Sequence, residues 1–158
     1  MGFALSDIQL SSPAFKPGDA IPKRHTGEGE DVSPALAWTD APAGTRSFAV
    51  ICHDPDAPLI KDDTYGFVHW VLYNIPASVM ALEEGSNGFT QGSNDFGSAG
   101  YGGPMPPPGH GVHHYFFWVF ALDQELALES GLSQPELLAK IEPHVLGMNR
   151  LVGTYQRA

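Results

Sequence analysis

The 158-residue chain carries 18 acidic against 8 basic side chains, a formal net charge of −10, with 42% hydrophobic residues. Nucleic acid and anionic membrane surfaces both demand clustered Lys and Arg, so this balance excludes them as principal partners. No run approaches the roughly 20 consecutive apolar residues of a membrane-spanning helix, which argues against stable membrane insertion, and the apolar content is that of a folded globular chain.

The length fits one domain over residues 1–158. The opening stretch, MGFALSDIQL, has no basic n-region and no long apolar h-region, and the single Cys52 forms no intramolecular disulfide. Both lead to the expectation of a reducing, cytoplasmic setting.

Short β-branched or aromatic runs separated by 14 prolines and 18 glycines read as strands and structured loops. In chain order, strands are expected at 4–10, 35–38, 47–53, 67–75 and 114–122. The run SFAVICHD is apolar through its middle, as in a strand buried on both faces. FVHWVLYNIP interrupts a similar run with one polar side chain, His69. Residues 86–108 form a Gly/Asn/Pro/Ser loop whose length and three aromatics favour an ordered, functional segment. A short helix is expected over 123–130. Ser133 then caps SQPELLAKIEPHVL, with Pro135 in the first turn and Glu136 at the capping-box spacing. Leu137, Leu138, Ile141 and Val145 share one face, and Pro143 divides the segment into two helical pieces. The sum is a β-rich domain with a small helical complement at its end.

Three local constellations carry chemistry. HDPDAP places Asp54 and Asp56 in a proline-stiffened turn directly after a strand, where either carboxylate can fix the tautomer of a histidine. A lone histidine inside an apolar strand, as His69 is, is more often a core group with one hydrogen bond than a ligand. The stretch GHGVHHY holds His110, His113, His114 and Tyr115. Strand alternation sends His113 and Tyr115 to one face and His114 to the other. Asp54, His69, His113 and Tyr115 therefore form the candidate set. A metal site lacks the local H-x-x-x-H or C-x-x-C spacing, and a hydrolase lacks a G-x-S-x-G nucleophile. An anion site needs only donors: imidazoles, the Tyr115 hydroxyl, and the backbone N–H groups of Gly109, His110 and Gly111.

The motifs DVSPALAW, DPDAP, FVHWVLYNIPA, GYGGPMPPPGHGVHHYFFWVFALD and LVGTY resemble the phosphatidylethanolamine-binding protein family, in order and over residues 15–155. Within that family they are most similar to the bacterial and archaeal Raf-kinase-inhibitor-like proteins of the YbhB/YbcL type. The resemblance implies a mostly β fold, a β-sandwich of Greek-key character with a few short peripheral helices. It also implies a small cavity that accepts phosphate, acetate, cacodylate or a phosphoethanolamine head group. Carried over residue by residue, the ligand-binding set is Asp54 with Asp56 behind it, Tyr65, His69, Pro106, Pro107, His113 and Tyr115. The chain departs from the family pattern at His114, where many relatives have Arg or Lys, at Met105, where many have Cys, and at Phe67, where animal members have Trp.

The resulting expectation is an anion-binding protein without cofactor, metal or catalytic residue. Its partners would be a small anion or phosphorylated head group, a protein such as a kinase or protease, and a second copy in a homodimer. The alternative is a hydrolase or metal-dependent enzyme built on the same Asp/His cluster.

Overall fold

The computed structural model describes residues 3–58, 60–61 and 64–158; Met1, Gly2, Leu59, Asp62 and Asp63 lie outside it. Among the described residues ten strands and one α-helix follow in chain order: β1 (Gln9–Ser11), β2 (Leu36–Thr39), β3 (Ser47–Asp54), β4 (Ile60–Lys61), β5 (Thr64–Tyr65), β6 (Phe67–Pro76), β7 (Ala81–Leu82), β8 (Thr90–Gln91), β9 (His113–Leu122), α1 (Gln134–Ile141) and β10 (Val145–Tyr155). A five-stranded sheet runs β10-β9-β3-β6-β8, a three-stranded sheet β1-β2-β7, and β4 pairs with β5. The pairings among these strands are antiparallel.

The period of two along β3 explains why SFAVICHD is apolar throughout. Phe48, Val50 and Cys52 pack with Ile8, Leu36 and Trp38 in the core shared with the three-stranded sheet. Ala49 and Ile51 point the other way, into a second core closed by Leu132, Leu137 and Ile141. The central sheet is thus covered on both faces, by strands on one side and by α1 and its approach on the other.

The capping box forms as its sequence dictates. Ser133 Oγ accepts from the Glu136 N–H at 3.3 Å, and Glu136 Oε1 accepts from the Ser133 N–H at 3.0 Å. Leu137 and Ile141 fall on the buried face. Pro143 stops the α-helix, which passes through a 3-10 turn at Glu142–His144.

The end of the chain differs from the helical expectation. Val145 is the first residue of an eleven-residue strand, paired along β9 from Val145↔Leu122 to Tyr155↔His113. Two glycines hide this strand in the sequence. A Cβ on Gly153 would lie 2.6 Å from Ile21 Cγ1 and 2.7 Å from Phe15 Cε2, and one on Gly147 2.6 Å from Ser6 Cβ. The N-terminal segment crosses β10 at both points, so packing, not strand propensity, selects Gly there.

Two further expectations are corrected. Residues 123–130 form no helix, because side chains of β6 take up their backbone groups. The Asn74 side chain accepts from the Leu128 N–H and donates to its carbonyl, and the Tyr73 hydroxyl donates to the Glu129 carbonyl. The expected strand at 4–10 shortens to β1, with Leu5 held in an isolated bridge to Met148. Among the described residues no helix is long and apolar enough to cross a membrane.

Candidate functional site: a buried Asp–His–Tyr cluster

Antiparallel pairing brings three strand ends to one edge of the central sheet. β3 ends at Asp54, which faces Phe67 at the start of β6, and His53 faces Phe116 near the start of β9. At this edge the otherwise apolar strands become polar: Asp54, His69 and His113 are each only 3% exposed, and Tyr115 is fully buried.

Asp54 closes the row Phe48, Val50, Cys52 at two-residue spacing, and its carboxylate is used on both oxygens. Oδ1 accepts from the Asp56 N–H at 2.8 Å, which fixes the DPDAP turn. Oδ2 lies 2.6 Å from His113 Nδ1. A carboxylate only accepts, so Nδ1 carries the proton and Nε2 is the free end of the His113 ring. That Nε2 lies 2.6 Å from Nδ1 of His110. Asp54, His113 and His110 therefore make one hydrogen-bonded chain from the sheet edge to the surface.

Alternation separates the two adjacent histidines as expected. His114 is exposed, and both its N–H and its Nδ1 lie 2.7 Å from Asp56 Oδ2. Burial pushes the Asp56 carboxyl up, but the hydrogen bonds and charge of His114 outweigh it and hold the group below the usual carboxylate range. Asp56 thus backs Asp54 through its backbone N–H alone; its carboxylate serves the outer face.

His69 Nδ1 donates to the Gly102 carbonyl at 2.6 Å. Burial lowers its pKa to about 4, and that hydrogen bond offsets only part of the effect. The ring is neutral at pH 7 with its proton on Nδ1, leaving Nε2 as an acceptor rather than the donor expected from sequence. The Tyr115 ring lies 5.2 Å from His69 and 6.5 Å from His113, centroid to centroid. Burial, with the Asp54 charge adding to it, raises the Tyr115 phenol well above its ordinary value, so it stays a donor. Phe67 packs tilted against His69 and Phe96 edge-on to it, with ring centroids 4.8 and 5.6 Å away.

The loop at 86–108 is tied down along its length. Asp31 Oδ1 accepts from the Gly103 N–H at 2.7 Å, the Pro104 carbonyl accepts from Gly27, and the Tyr101 hydroxyl donates to the His25 carbonyl. Pro106 is buried, with its carbonyl 3.3 Å from Arg157 Nη1, whereas Pro107 is exposed. Tyr65 is 60% exposed, and its carbonyl takes a hydrogen bond from His53 Nε2. The structure therefore gathers Asp54, His69, His113 and Tyr115, buries Pro106 against Arg157, and turns Asp56, Tyr65 and Pro107 outward.

Three contacts escaped the sequence reading, which took His110 only for its backbone N–H, a group that donates instead to the Pro107 carbonyl. The His110 side chain reaches His113, the Gly102 carbonyl fixes the His69 tautomer, and Arg157 ties the chain end to the proline loop. Only His110 carried a signal, its glycine-flanked place three residues before His113. Among the described residues no group of three or more His, Cys, Asp or Glu side chains is arranged to hold a metal ion.

A mostly β chain of two packed sheets, with acidic, imidazole and phenolic groups meeting at one sheet edge, defines a narrow class of proteins. Residues 11–156 match the family model described as phosphatidylethanolamine-binding protein. A UPF0098 protein of Aquifex aeolicus (strain VF5) is 44% identical over 157 residues, covering 95% of this chain and 89% of that protein. Two crystal structures superpose with a TM-score of 0.87. One is a phosphatidylethanolamine-binding protein homologue of Chlamydia trachomatis, 37% identical, covering 96% of this chain and 98% of that one. The other is YbcL of E. coli, 34% identical, covering 97% and 100%. The chain belongs to the phosphatidylethanolamine-binding protein family, in its YbhB/YbcL branch.

Proposed function

We propose that the chain binds a phosphate-like oxyanion, or a small molecule bearing one, at the Asp54–His69–His113–Tyr115 cluster, and that it acts by binding rather than by catalysis. The observation that carries this reading is the buried Asp54–His113 pair. A sheet edge filled with Leu or Phe would be cheaper to bury than a carboxylate, two imidazoles and a phenol. Three strands and an anchored loop nevertheless bring these groups together, which suits a ligand that will satisfy them.

The donor set supports an oxyanion that carries its own proton. Tyr115 donates, His113 presents Nε2, and His69 presents an acceptor. Dihydrogen phosphate offers both kinds of partner, with two P–O–H groups for the two Nε2 acceptors and bare oxygens to accept from Tyr115. Against a nucleophilic enzyme stands Cys52, which is fully buried and whose thiol is raised well above its ordinary value by that burial.

Regulation of a protein partner such as a kinase or protease belongs to the same reading. The exposed side chains of Phe96, Met105 and Val112 beside the cluster are suited to such contact. A cytoplasmic setting and a homodimer complete it.

Calorimetric titration with inorganic phosphate tests the reading. Wild type is expected to bind, and Tyr115→Phe, which removes one hydroxyl and keeps the ring, to bind roughly tenfold more weakly. Equal affinity in the two proteins, or no binding in wild type, refutes it.

A further inference from the structure

His113 has two ring nitrogens, and in this structure both are taken. Nδ1 faces Asp54 Oδ2 and Nε2 faces His110 Nδ1, each at 2.6 Å. No ligand atom can hydrogen-bond to Nε2 while His110 does. We propose that His110 is a displaceable plug: it occupies the ligand's place on His113 in the free protein and leaves when an oxyanion binds. The inference rests on the anion-binding reading of this cluster and adds the residue that controls access to it.

The two histidines are held very differently. His113 is 3% exposed, fixed by Asp54 on one side and lying in β9 paired with β10. His110 is exposed, and among the described residues its ring makes one hydrogen bond, the one to His113. Its backbone is anchored, through its own N–H to the Pro107 carbonyl at 3.1 Å and through Gly109 to the Arg157 carbonyl at 3.2 Å. The exchange therefore needs only rotation of an exposed side chain, a motion of picoseconds to nanoseconds. The flanking glycines leave room for it. Gly109 and Gly111 sit at φ +73° and +93°, and a Cβ on either would meet nothing within 4 Å.

The plug serves the buried pair. Without a partner on Nε2, a nearly fully buried imidazole would carry an unsatisfied polar atom, so His110 fills that requirement until a ligand does. Binding then exchanges one hydrogen bond for another, a P–O–H of the ligand replacing the His110 N–H as the donor to Nε2, and the apparent affinity is reduced by the fraction of molecules in which His110 is away.

Removing the plug raises affinity. His110→Ala is expected to bind inorganic phosphate roughly 3- to 10-fold more tightly than wild type, the worth of the one hydrogen bond no longer displaced. A second measurement uses wild type alone: ¹⁵N-resolved NMR of the histidine rings should show the His110–His113 N–H···N coupling in the free protein and its loss at saturating phosphate. Unchanged or weaker binding by His110→Ala overturns the plug, and weaker binding would make His110 a ligand instead. A coupling that persists at saturation also overturns it while leaving the anion reading intact. Absence of phosphate binding in both proteins removes the anion reading and the plug together.

Discussion

Asp54 and His113, 59 residues apart in the chain, meet through a 2.6 Å hydrogen bond in which each side chain is only 4% exposed. A second Asp–His pair stands one residue further along β9. Asp56 and His114 are joined at 2.7 Å, with side-chain exposures of 38% and 49%. The chemistry is the same and the surroundings differ.

That contrast predicts unequal costs. Asp54→Ala leaves a buried imidazole without its acceptor and should lower the unfolding free energy by about 3 kcal/mol. Asp56→Ala removes a water-screened pair and one backbone acceptor, and should cost about 1 kcal/mol or less. Urea unfolding of the two variants at pH 7 measures both; equal losses would mean that burial does not decide the worth of these pairs.

His69 gives the fold an acid sensitivity of known sign. Its folded-state pKa is near 4, against an ordinary value of about 6.5 in the unfolded chain. Between those values the unfolded chain binds the extra proton and the folded one does not. Stability is therefore whole above about pH 6.5 and falls as the pH drops toward 4, by about 3 kcal/mol in all. His69→Gln should show a smaller loss between pH 7 and pH 4.5 than wild type in matched urea titrations. An identical loss in both proteins would remove His69 as the source.

The His69 tautomer also predicts a choice between anions. Sulfate near pH 6.5 has no proton to give to an acceptor, whereas phosphate is then mostly dihydrogen phosphate, which has two. Leaving a buried acceptor unpaired costs about 1–3 kcal/mol, so sulfate should bind roughly tenfold or more weakly than phosphate. Calorimetric titration with each anion at pH 6.5 tests this, and comparable affinities would show that Nε2 does not contact the ligand.

Gly103 links the proline loop to the body of the protein. A Cβ there would lie 2.7 Å from Asp31 Oδ1 and 3.0 Å from Thr26 Cα. Gly103→Ala should lower stability by about 1–3 kcal/mol and move the adjacent Gly102 carbonyl off His69. A drop in thermal midpoint together with a shift of the His69 ring resonances would bear this out. A stable variant with unshifted resonances would count against the coupling.

Much of the architecture was legible because local rules agreed with the global fold. Apolar and aromatic runs bounded by turn residues made β3, β6 and β9 recognisable, and the period of two assigned His113 and Tyr115 to one face, with His114 to the other. The Ser133–Glu136 box placed the helix start. β10 was not legible as a strand, since Gly147 and Gly153 lower strand propensity for the sake of contacts with Ser6, Phe15 and Ile21. The segment at 123–130 was misread as a helix because its backbone partners are side chains some fifty residues away on β6.

By itself the sequence determined which residue types stand at the strand ends, and through alternation which of them share a face, since those are properties of a few consecutive residues. Only the tertiary structure decided their roles. Antiparallel pairing set Asp54 against His113, the returning loop put the Gly102 carbonyl on His69 and so chose its tautomer, and closure of the GHG turn laid His110 over the nitrogen of His113 left free by Asp54. Each is a contact between segments distant in the chain or a loop conformation, and its energy depends on burial, which no local pattern encodes.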